Sequence, residues 1–113
     1  MLISFGSALQ KVRVVETHGP VGHQMPFRVD TTEITSYKGT AVVIRVYVIR
    51  GIKLAATDAG NTSDPYVICS LGEQSHKTAV CQKTLDPYFG NMFEFKVRGP
   101  MFVYVAVVDH HQW

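Results

Sequence analysis

The chain has 113 residues, 46% of them hydrophobic and 18% charged, with a formal net charge of +2. That length excludes more than one ordinary domain, and that composition excludes a disordered chain. So small a charge, with 4 basic and 3 acidic residues in 1–42 and 7 and 6 in 43–113, leaves no basic arm on which to build a nucleic-acid-binding protein.

The start, Met1-Leu2-Ile3-Ser4-Phe5, lacks the basic stretch and long apolar core of a secretory signal. No apolar run approaches the ~20 residues of a membrane span. Residues 8–16 read as a strand because Val12, Val14 and Val15 are β-branched. Residues 17–27, with Gly19-Pro20, Gly22 and Pro26, read as loop, residues 31–37 as a short strand, and Lys38-Gly39-Thr40 as a turn.

From Ala41 the pattern is strand, loop, strand. Residues 41–49 are nearly all apolar and β-branched, with Val46 and Val48 alternating against Arg45 and Tyr47. A strand over 66–71 follows a polar loop, Gly72-Glu73-Gln74-Ser75 is a hairpin turn, and 77–82 returns. Residues 85–91 form a Pro/Gly-containing connection, 92–97 a strand, Arg98-Gly99-Pro100 a turn, and 102–108 the last strand. Strands at this spacing, with no helical period and no repeat, predict an all-β antiparallel sandwich.

Two cysteines are too few for a disulfide framework. Alternation puts Cys69 with Val67 and Leu71 on an inner face, and Cys81 with Lys77, Ala79 and Lys83 on an outer one. Side chains on opposite faces are not easily bridged, so both read as free thiols in a reducing compartment.

Residues 57–68 read Thr-Asp-Ala-Gly-Asn-Thr-Ser-Asp-Pro-Tyr-Val-Ile. Asp58 and Asp64 flank Gly60, Asn61, Thr62 and Ser63, which favour loop. An Asp-bearing loop between two strands is one way to give a hard cation such as calcium its oxygen ligands.

The order Asp-x-Gly-x-x-Ser-Asp-Pro-Tyr-Val resembles the most recognisable stretch of the C2 domain, a β-sandwich of Greek-key type that often docks on membranes through calcium. Four more blocks follow the order of that family. Residues 43–54 resemble the strand before its first loop. His76-Lys77-Thr78-Ala79-Val80 with Lys83-Thr84-Leu85-Asp86-Pro87-Tyr88-Phe89-Gly90, then Met92-Phe93-Glu94-Phe95, then residues 103–109 resemble its later segments. "VRVYVIR" and "LDPYFGNMFE" are most similar to ferlin C2 domains. The resemblance implies a partial C2 domain over 41–113 preceded by an N-terminal extension, 1–40, with one or two strands. A complete C2 domain has eight strands, and about three should follow residue 109. The expectation is an open sheet edge that invites pairing with another chain, and a polypeptide that is poorly stable or self-associates.

In calcium-binding C2 domains two loops carry the ligands. The first offers two aspartates, matched by Asp58 and Asp64. The other begins Asp-x-Asp, and here Asp109 matches the first aspartate while His111 stands at the second. Imidazole is a poor calcium ligand. Three carboxylates repel one another, and a cation would relieve that repulsion. The plainer roles are a turn cap for Asp58 and, for Asp64, ordering of the loop through backbone amides.

His110 and His111 point to opposite faces of a strand and do not make a zinc site. The phosphoinositide-binding lysines of some C2 domains correspond here to Ile68, Ser70, Lys77 and Ala79, with Lys83 and His76 nearby, a weak basic surface. Leu54, Ala55, Ala56 and Ala59 give a mildly apolar loop tip, and Trp113 falls on the last loop, where it would prefer a membrane interface or stand exposed. There is no Gly-x-Ser-x-Gly, His-Glu-x-x-His or phosphate-cradling glycine loop, so no enzyme is expected. The resemblance implies calcium-influenced docking to anionic phospholipid on the cytoplasmic face of membranes, in a ferlin-like trafficking or fusion protein with a membrane anchor elsewhere. The competing reading is a calcium-independent protein-interaction scaffold.

Overall fold

A computed structural model of the chain describes residues 2–7, 13–16, 27–35, 41–52, 54 and 64–110. They form eight strands: Leu2–Ser7 (β1), Arg13–Glu16 (β2), Phe27–Asp30 (β3), Val42–Arg50 (β4), Pro65–Leu71 (β5), Gln74–Lys77 (β6), Tyr88–Val97 (β7) and Phe102–Asp109 (β8). One sheet has the order β2-β1-β4-β7 and the other β3-β8-β5-β6. All pairings are antiparallel.

The core follows from period-2 alternation. Ile3 and Phe5 of β1, Ile44, Val46 and Val48 of β4, and Phe95 and Val97 of β7 face inward from one sheet. They meet Val29, Val67, Cys69, Leu71, Val103, Val105 and Val107 of the other in a single buried cluster. The alternation read from the sequence for β4 and β5 is the burial pattern observed, and the antiparallel β-sandwich stands.

Several boundaries differ from expectation. Leu2–Ser7, not read as a strand, lies between β2 and β4. Within residues 8–16 the described strand is Arg13–Glu16, and 8–12 lie outside the described residues. Where a strand was expected over 31–37, Thr31–Glu33 is a 3-10 turn. Local side-chain bonds win there. The Asp30 carboxylate accepts from the Thr32 N–H at 3.0 Å and from its hydroxyl at 2.8 Å, and the Thr35 hydroxyl donates to the Thr31 carbonyl oxygen. The Thr32 N–H holds the Asp30 carboxyl below its ordinary range. Thr31 also ties this segment to the residue that precedes β8. Its N–H donates to Met101 O at 2.9 Å, and its hydroxyl accepts from Met101 N–H at 3.0 Å.

The return strand expected over 77–82 instead ends at Lys77. Thr78 turns inward, accepting from Val67 N–H and donating to Ala79 O through its buried hydroxyl. The alternation argument therefore does not reach Cys81, which lies in the irregular connection to β7, half-buried, while Cys69 is fully buried. Both are free thiols. The strand expected from residue 92 begins at Tyr88, with a register irregularity against β4 between Val48 and Arg50. Gly90, at φ 60°, takes up that irregularity.

Candidate functional site

Three segments converge at the start of β5. Pro65 is its first residue, a position where a missing N–H breaks no ladder bond, and pairs with Asp109 at the end of β8. The His110 N–H donates to Asp64 O at 2.9 Å, and the Cys81 N–H to Pro65 O at 2.9 Å. The Asp64 Oδ1 accepts from the Lys83 N–H at 2.7 Å. Asp64 and Pro65 are thus clamped between the last residues of β8 and the connection that precedes β7.

The other side of the same end is closed by backbone bonds from Gly51 N–H to Pro87 O at 2.8 Å and from Leu54 N–H to Leu85 O at 2.9 Å. Gly51 is buried, and a Cβ there would come within 2.9 Å of Leu54 Cδ1 and 3.2 Å of Pro87 Cδ. A larger residue there would have to displace the Leu54 side chain. Leu54, expected at an apolar loop tip, is instead buried in the core. The exposed apolar residue beside it is Ile52.

Of the three candidate ligands, Asp64 and Asp109 have their backbones at this one end, on neighbouring strands. Asp58, His111 and Trp113 lie outside the described residues. Among the described residues no three His, Cys, Asp or Glu side chains converge. Carboxylate oxygens suit a hard cation such as calcium, so Asp64 fits the proposed donor set. His110, half-buried, packs its ring edge-on against Tyr66 at 6.2 Å.

The basic surface is thinner than the sequence implied. Lys77 is exposed and pairs with Ile68. His76 turns toward the other sheet, stacking on Phe93 at 5.2 Å and meeting Phe95 edge-on at 5.2 Å. The side where β6 faces β7 is closed by this contact, so His76 serves the sandwich. No helix among the described residues is long and apolar enough to cross a membrane.

The described residues form a β-sandwich of eight antiparallel strands with the backbones of Asp64 and Asp109 at one end, and this defines the class of module. The C2 domain family model matches residues 42–113, and the chain belongs to that family. Among similar proteins, Fer-1-like protein 4 of Mus musculus is 36% identical over 73 residues, covering 61% of this chain and 4% of its own length. Protein C2-DOMAIN ABA-RELATED 3 of Arabidopsis thaliana is 35% identical over 71 residues, covering 63% of this chain and 42% of its own length. E3 ubiquitin-protein ligase RSP5 of Emericella nidulans is 31% identical over 71 residues, 62% of this chain and 9% of that protein. The chain spans less than half the length of each of these relatives.

Proposed function

We propose that this C2 module docks on anionic phospholipid under the influence of calcium, at the cytoplasmic face of a membrane, as a non-catalytic part of a ferlin-like trafficking or fusion protein. The observation that carries this reading is the meeting of β5 and β8, where Pro65 pairs with Asp109 and the His110 N–H bonds Asp64 O. Asp58, Asp64 and Asp109 are the residues that would hold calcium. Bound calcium would supply positive potential and coordination positions for headgroup oxygens. The Asp64 carboxylate is held at this end of the sandwich by the Lys83 N–H.

Calcium titration by calorimetry, with and without anionic vesicles, tests this. Saturable heat that tightens with vesicles and is lost in Asp58→Asn is the expected result. No heat in either protein overturns it and favours a calcium-independent protein-interaction scaffold. One observation favours that second reading: the Asp64–Lys83 bond gives Asp64 a structural task that needs no calcium.

A further inference from the structure

The outward face of the second sheet is apolar, where a solvated sheet face is ordinarily polar. β8 turns Phe102, Tyr104, Ala106 and Val108 outward and β5 turns Tyr66 and Ile68 outward, all of them at least partly exposed. Phe102 is 37% and Tyr104 46% exposed, with ring centroids 6.3 Å apart. The two strands are neighbours, with Ala106 opposite Ile68 and Val108 opposite Tyr66, so the six side chains form one strip. No charged side chain interrupts it. The other sheet differs: on its outward face the Arg45–Glu94 ion pair and Lys96 stand among Val43, Tyr47 and Met92.

Cations flank the strip on both sides. Arg28 of β3, paired with Tyr104, lies over the Phe102 ring at 4.3 Å. Lys77 of β6 is exposed opposite Ile68. Among the described residues, Asp30 is the one carboxylate at an outward position of these four strands, and its Oδ1 already accepts from the Thr32 N–H and hydroxyl. The face therefore offers apolar area and positive charge together.

Its dimensions fit one kind of occupant. With their side chains, two neighbouring strands make a strip about 10 Å wide, the diameter of an α-helix. From Phe102 to Val108 the strip runs about 20 Å, the length of about 13 helical residues. Arg28 and Lys77 stand on strands three spacings apart, about 14 Å, so they fall on either flank of a helix laid along β5 and β8. We propose that this face binds an amphipathic helix of a partner protein, its apolar stripe seated on the strip and its flanking carboxylates meeting Arg28 and Lys77. Charge complementarity selects an acidic helix over a basic one. An anionic bilayer would meet only two cations on this face, and its attraction grows with their number. The contact involves none of the candidate calcium ligands and needs no calcium.

The probe is a fluorescein-labelled synthetic peptide of about 14 residues, with leucine at i, i+3, i+4 and i+7 spacing and glutamate on both flanks. Its anisotropy is followed as the full chain is added up to about 1 mM, with calcium chelated. Saturation at about 10–100 μM is expected, and a lysine-flanked version should bind at least about tenfold more weakly. Tyr104→Ser should weaken binding about tenfold. Arg28→Glu combined with Lys77→Glu should reverse the preference between the two peptides. Should either variant fail to fold, the amide resonances of the wild type give the same answer. Those of Ile68, Tyr104 and Ala106 should shift with the peptide, and those of Tyr47 and Met92 should not. No saturation with the glutamate peptide overturns the proposal. So does equal binding of the two peptides, undiminished binding by Tyr104→Ser, a preference that survives the charge reversal, or shifts that leave Ile68, Tyr104 and Ala106 unmoved. Vesicles of equal parts phosphatidylcholine and phosphatidylserine are the last arm. If they bind the wild type where the peptide does not, and Tyr104→Ser loses them, the face is a lipid surface and the proposal falls.

Discussion

The Asp64 carboxylate accepts a 2.7 Å hydrogen bond from the backbone N–H of Lys83, and Lys83 holds that N–H in place at φ 49°, in the left-handed region. A candidate metal ligand and a strained backbone residue are thus a single unit. Side chains other than glycine, asparagine and aspartate seldom adopt this conformation, at a cost of roughly 1–2 kcal/mol. The bond from the Asp64 carboxylate to the Lys83 amide offsets that cost.

Separating the two tasks of Asp64 gives the first prediction. Asp64→Ala should lose about 1–2 kcal/mol of stability, the worth of a charge-assisted bond at a half-buried position. Asp64→Asn keeps an acceptor oxygen and should lose less, while weakening any calcium response as much as Asp64→Ala does. Urea unfolding of both variants, beside their calcium titrations, checks this.

Thr78 gives the second. Its buried hydroxyl accepts from Val67 N–H and donates to Ala79 O, ending β6 and fixing the turn toward Cys81. Thr78→Val keeps the shape and strands a buried N–H. The loss should be about 1–3 kcal/mol, read as a lowered denaturant midpoint with an unchanged slope. Thr78→Ser should recover most of it.

The thiols give a pH-dependent prediction. Burial pushes the Cys69 thiol up from 9.0 to about 12 and also raises that of Cys81. Above pH 9 the unfolded chain releases the Cys69 proton while the folded chain retains it. The stability this group contributes is therefore full below pH 9 and falls as pH rises toward 12. Melting temperatures should drop on that alkaline limb, and Cys69→Val should flatten it. At pH 8 a thiol reagent should label Cys81 slowly and Cys69 only on unfolding. Equal labelling of both in the native protein would contradict the burial argument.

How far the sequence carried the reading depends on which physical signal each element had. β4, β5 and β8 were legible because their inward residues alternate without interruption and glycine or proline stands at or near their ends. β1 was not, since Leu2–Ser7 is short, and its Ile3 and Phe5 become a strand face only beside β4. The 3-10 turn at Thr31 was hidden because threonine favours strands until a hydroxyl and a preceding carboxylate bond the local backbone. Gln74 looked like a turn residue, and its hydrogen bonds to the Lys96 backbone depend on two sheets meeting. Of the site, Asp64 and Asp109 were picked out by the resemblance to C2 domains, and the pairing of β5 with β8 brings their backbones to one end. The Lys83 contact was not, because nothing in Gln82-Lys83 signals a positive φ.

The last prediction concerns the unit that folds. Ile3, Phe5, Val29 and Ile34 are all fully buried in the shared core, although they precede the residues that match the family model. Burying one such side chain is worth about 1.5–3 kcal/mol, so the four together contribute roughly 6–12 kcal/mol. A domain of this size has a net stability of about 5–15 kcal/mol. Residues 41–113 expressed alone lack those side chains. They also leave one side of β4 and one side of β8 unpaired, exposing two interior strands as edges. We therefore propose that the sandwich takes in the strands before residue 41. The shortened chain should lose its cooperative thermal transition or aggregate, whereas the 113-residue chain should melt in one step. Adding a peptide of residues 1–35 in trans should restore part of the near-ultraviolet dichroism if β1 and β3 pair as described. A cooperative, monomeric 41–113 fragment as stable as the full chain would show that the N-terminal strands contribute little to the core they occupy.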